Sequence, residues 1–123
     1  MTPRTRRVGA AAVAGLALLV LAACSPQPAS PVGTWGDGAD GGPQLVLDED
    51  GRLHGTDGCN RLIGSWEQDG DRISFGAVAS TMMACPDVDT WLSGANSARV
   101  DGDVLRVSDD TGTEIGTLDR ISP

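Results

Sequence analysis

Cys59 and Cys85, with Cys24 as a third thiol near the amino end and His54 as the single imidazole, are the side chains whose types and spacing could do chemistry. Three readings compete for Cys59 and Cys85. A zinc site needs further ligands at tetrahedral spacing, but there is one histidine and no Cys-x-x-Cys pair. A catalytic thiolate needs a base held beside it, and only His54, shortly before Cys59, is available. A serine triad is not ruled out by counting, although no nucleophile-elbow glycine pattern brackets a serine. The third reading is a crosslink, which becomes attractive only if Cys24 is otherwise engaged, because an odd thiol is a liability in an oxidising compartment.

The amino end settles that parity. "MTPRTRRVGAAAVAGLALLVLAAC" opens with Arg4, Arg6 and Arg7 and continues with an apolar run from Val8 to Ala23, the pattern of a secretory signal. The run is shorter than the roughly 20 residues a spanning helix needs. Its end, "LAAC", resembles the lipobox of bacterial lipoproteins, which implies cleavage after residue 23, a diacylglyceryl thioether on Cys24 and acylation of the new amino terminus. Two or more acyl chains hold a protein stably on a membrane, so an extracytoplasmic, lipid-anchored protein is expected. "SPQPASP" follows, and its prolines predict a short tether over residues 24–31 that neither packs nor forms a helix. With Cys24 acylated, Cys59 and Cys85 are left to pair. The loop they close is worth about 3.5 kcal/mol on chain-entropy grounds.

Those residues need elements to position them. Removal of the signal leaves six arginines against 17 acidic residues, a net charge of −11, so nucleic acid is a poor partner. The chain has no lysine or tyrosine and a single phenylalanine. One small, marginal domain over residues 32–121, monomeric, is expected. Turn signals at "DEDG" 48–51, "DGD" 69–71, "DGD" 101–103 and "DDTG" 109–112 separate short alternating apolar runs such as Leu45–Leu47, Ile73–Phe75 and Val104–Val107. This predicts a meander of antiparallel strands, with the aspartates as solvated hairpin tips and not as calcium ligands. After Pro86, the spacing of Val88, Trp91, Leu92, Ala95 and Ala98 predicts one short α-helix with Trp91 inward. The expected fold class is therefore mainly β with one short α-helix, a strongly bent antiparallel sheet or cracked barrel capped by that helix. Met82 and Met83 are expected on opposite faces of one strand, with Met83 toward the core.

"GTDGCNRLIGSW" followed by "STMMAC" resembles the signature of the META, or HslJ-like, domain. The matching positions are Gly58, Cys59, Asn60, Gly64 and Trp66, then Thr81, Met83 and Cys85. More loosely the resemblance runs from Gly33 to Ile121; it departs at "GDGADGGP", residues 36–43, where relatives often continue with apolar residues. It implies a small β-rich domain, commonly on envelope lipoproteins and in some members tied to heat or antibiotic stress, with no established catalytic residues. The motif also reads as architecture: Gly58 and Gly64 suit bends, and Asn60 suits a local backbone hydrogen bond at a turn. The expectation for function is a non-enzymatic lipoprotein that uses no cofactor or metal and binds an envelope protein or component. The alternative is a lipid carrier with an apolar cleft lined by Trp66, Phe75, Met83 and Trp91.

Overall fold

The computed structural model describes residues 27–123, with residues 9, 14 and 15 besides. The secretory signal and the acylation of Cys24 fall outside the described residues. Eight strands follow in chain order: β1 (Gly33–Trp35), β2 (Gln44–Leu47), β3 (Arg52–Thr56), β4 (Arg61–Asp69), β5 (Arg72–Ser80), β6 (Ser97–Asp101), β7 (Val104–Ser108) and β8 (Glu114–Ser122). Each pairs antiparallel with the next, and β1 pairs with β8 through Thr34–Ser122 and Trp35–Arg120, so the sheet closes into a barrel. An eight-stranded barrel has an interior just wide enough for side chains to fill. Trp35, Leu45, Leu47, Leu53, Leu62, Ile73, Phe75, Leu105, Val107 and Leu118 fill it, with alternate residues facing out.

Closure corrects the expected fold class. The molecule is nearly all β, and among the described residues there is no α-helix, only a single 3-10 turn at Trp91–Gly94. The apolar spacing after Pro86 is real but is not one helical face. Asp87 sits at a left-handed φ of 67°, which breaks a helix at its first turn, and Val88 is exposed. Ala98 is buried as part of β6, which must be extended because it bridges β5 and β7. Tertiary closure outweighs a local pattern weakened by Gly94 and Asn96. Trp91 is only half-buried and lies over Gly116, while Leu92 takes the fully buried position. The polar link 36–43 joins β1 to β2, which pair in register from Gly33–Leu47 to Trp35–Leu45.

Up-and-down order gives the barrel two distinct ends. The turns at 48–51, 70–71 and 102–103 lie at the end where the described amino-terminal segment enters, and the connections 36–43, 57–60, 81–96 and 109–113 lie at the far end. The entering segment is partly packed, contrary to the expectation for the tether. Pro31 is fully buried and its carbonyl accepts a 2.8 Å hydrogen bond from the Trp35 indole N–H. Arg120 stacks 4.1 Å from the centroid of Trp35 and donates to the carbonyls of Val32 and Ser30, and Gln68 donates to that of Ala29. The Trp35, Gln68 and Arg120 side chains donate to the segment's own carbonyls, so residues 29–32 belong to the floor of the barrel.

Candidate functional site

The motif residues gather at the far end. The β3–β4 connection, Asp57–Asn60, is a tight turn held by its own first side chain: Asp57 Oδ1 accepts from the backbone N–H of Cys59 at 2.8 Å and from that of Asn60. Gly58 adopts φ +98°, and a Cβ there would stand 2.7 Å from the carbonyl oxygen of Gly41, so the turn requires glycine. Cys59 is disulfide-bonded to Cys85, 26 residues on, with a Cα–Cα distance of 5.9 Å. The bond ties this turn to the segment that leaves β5.

Asn60, 8 % exposed, fastens the same segment a second time. Its Oδ1 accepts from the Met83 N–H at 2.7 Å and from the Thr81 hydroxyl at 3.1 Å, and its Nδ2 donates to the Met83 carbonyl at 3.4 Å. The Thr81 hydroxyl in turn accepts from the Arg61 N–H at 3.0 Å. Gly64 lies opposite the irregularity between Gly76 and Ala79 of β5, and a Cβ there would press on the Gly76 carbonyl at 3.0 Å and on Val78. The motif thus builds a strap, residues 81–85, across the far end. Met82 and Met83 are not on a strand, and neither is core: they are 93 % and 61 % exposed, because the strap's inward hydrogen bonds are made by Asn60 and its outward face carries the side chains.

Beside the strap an open groove of about 980 Å³ runs over the outer face of β2, β3 and β4. Ile63 and Met83 give it apolar surface, and His54, Arg61 and Gln44 give it polar groups. His54 is exposed on β3, with Nδ1 3.5 Å from Asp48 Oδ2. The Cys59 sulfur that also lines the groove is bonded to Cys85, so it presents no thiolate to His54. Such a surface can hold an apolar side chain against Ile63 and Met83 while the rim groups donate hydrogen bonds.

Of the four residues expected to line a cleft, Met83 alone lies in this groove. Phe75 is buried in the core and borders a separate cavity of about 400 Å³, Trp91 covers Gly116, and Trp66 donates from its indole to the Asp48 carbonyl at 2.9 Å. No cavity described brings the four together. Among the described residues no group of three or more His, Cys, Asp or Glu side chains is arranged to hold a metal ion, and no helix is long and apolar enough to cross a membrane. Sequence reasoning missed Asp57, which is fully buried with Oδ2 unpartnered; its signal was an aspartate two and three residues before the amides it binds.

The family model described as "META domain" matches residues 28–120. No curated protein and no solved structure matches the chain.

Proposed function

This chain belongs to the META domain family, and from that premise we propose that it is a non-enzymatic, lipid-anchored protein of the cell envelope that binds an envelope protein or component, in a role linked to stress. The observation that carries the reading is what the motif side chains do. Cys59, Asn60, Thr81 and Cys85 satisfy one another and leave Met83 displayed beside Ile63 in the groove. A motif consumed in holding a strap is a scaffold for a recognition surface. The ends of the barrel favour the same assignment: residues 29–32 lie on the floor and the strap at the far end, so an anchor upstream of residue 29 would leave the strap facing away from the membrane. The carrier reading gains no comparable support, because Trp66, Phe75 and Trp91 face elsewhere.

Photocrosslinking from the groove in intact cells under envelope stress tests the binding role, with Met83→Glu as the comparison. The wild-type chain should capture a discrete partner and Met83→Glu should lose it at an unchanged unfolding midpoint; equal capture by both would end the proposal. Mass spectrometry of the membrane-extracted chain tests the anchor. It should start at Cys24 and carry acyl groups, and an unmodified mature terminus elsewhere would exclude it.

A further inference from the structure

The described residues hold six arginines in a chain with 17 acidic side chains, so carboxylates are plentiful as partners. Three of the six nevertheless stand in a row. On the outer wall of the barrel, Arg72 of β5 is directly opposite Arg99 of β6, and Arg99 is directly opposite Arg106 of β7. Directly opposed residues project to one face with Cβ atoms about 5 Å apart, and like charges so placed repel. All three are exposed, while their neighbours Ile73, Ala98, Leu105 and Val107 turn into the core. Arg106 is matched by Asp101 at 2.9 Å and Glu114 at 3.3 Å, whose hydrogen bonds raise its pKa. Among the described residues, Arg72 and Arg99 make no ion pair.

The same register aligns three hydroxyls beside the row, Ser74 opposite Ser97 and Ser97 opposite Ser108. Arg72, Arg99, Arg106, Ser97 and Ser108 line one concavity of about 280 Å³, and Glu114 also borders it with its carboxylate engaged by Arg106. We infer that this row is a binding site for a single phosphate group, borne on a lipid headgroup or on a small soluble ester. Guanidinium forks match phosphate oxygens in pairs, and a hydroxyl donates to an oxygen left over. Asp69 of β4 is directly opposite Arg72 on its other side and Asp101 shares the face of Arg99 on β6, yet neither carboxylate closes on Arg72 or Arg99, so a phosphate between these two arginines would relieve the repulsion that remains. The concavity takes one such group, and the overall negative charge disfavours a long polyanion. The site lies on β5–β7, apart from the groove on β2–β4, and does not depend on what that groove binds.

The test uses the full chain in non-ionic detergent, with the six arginine Nε–H signals followed by NMR. The probes are inorganic phosphate, glycerol 3-phosphate and dihexanoyl phosphatidylglycerol, each against sodium chloride at equal ionic strength. Saturable shifts confined to Arg72, Arg99 and Arg106 are expected, with affinity about tenfold lower in Arg99→Gln and partly restored in Arg99→Lys. Tighter binding of the lipid than of the two soluble phosphates assigns a headgroup, and the reverse assigns a soluble ester. At low salt without phosphate, Arg99→Gln should unfold at a higher temperature than the parent, since it relieves the opposed charges. Shifts spread over all six arginines, shifts reproduced by chloride, or a lower melting temperature for Arg99→Gln in the absence of phosphate would each overturn the inference.

Discussion

Asn60 is where one side chain does the work of a loop. It is nearly buried and satisfies both backbone groups of Met83 together with the Thr81 hydroxyl, so its loss strands a donor and an acceptor where water enters poorly. Asn60→Ala should lower stability by about 2–3 kcal/mol in urea unfolding. Asn60→Asp keeps the acceptor and loses the donor, and should fall between that variant and the parent; an Asn60→Ala domain as stable as the parent would mean that the strap is held by the disulfide alone. A turn role for Asn60 was legible in "GCN", because short amides favour local backbone bonds. Its actual partners lie more than twenty residues on, and no local pattern encodes them. Asp57 shows the opposite failure. It looks like any hairpin-tip aspartate in this acidic chain, and only the fold reveals that it is buried.

Strands were readable from alternation and turn chemistry, because each hairpin is a local object: Leu45 and Leu47 point inward, and "DGD" closes two turns as expected. The helix failed because periodicity cannot tell a helical face from a coil, a 3-10 turn and a strand that together bury Leu92 and Ala98. The 3-10 turn has its own packing test. The Trp91 ring rests on the bare face of Gly116, where an added Cβ would stand 2.6–2.7 Å from ring carbons. Gly116→Ala should therefore displace the ring, lowering stability by about 1–3 kcal/mol and shifting tryptophan emission to the red; an unchanged spectrum would show that the ring is not seated there. The β7–β8 turn answers to pH. The Thr111 hydroxyl, with the Thr113 and Thr111 amides, holds the Asp109 carboxyl below its ordinary pKa. A depressed pKa contributes stability that is present above the unfolded value and is lost as pH falls through the folded one. The Thr111 and Thr113 amides should lose exchange protection selectively in acid, below the usual carboxylate range, and Asp109→Ala should remove that protection at every pH.

Closure of the sheet was the least legible feature, since the β1–β8 seam joins Thr34 to Ser122, a pairing that depends on the summed twist and shear of all eight strands and not on any one of them. The consequence is a barrel with two thinly paired seams, the two positions of β1–β8 and a second at β5–β6. β5 and β6 share only three paired positions, Arg72 to Ser74 with Ala98 and its neighbours, and the longest connection of the domain, residues 81–96, hangs between them. The disulfide crosses that connection near its start, and its sulfurs bridge it to the β3–β4 turn across the far end. The chain-entropy estimate for the loop is about 3.5 kcal/mol, a large share of the stability of a domain this small. Replacing Cys59 and Cys85 by serine should therefore lower the unfolding free energy by about that amount and lower the urea midpoint, with a steeper slope if the bond acts by keeping the unfolded chain compact. Because the strap also depends on Asn60, its amides should exchange faster than the rest of the barrel in the same variant, and the groove should loosen before the core does. A double-serine variant with the parent's midpoint and uniform exchange would show that the β5–β6 seam and the strap hold without the crosslink, and that the thiols serve some other chemistry.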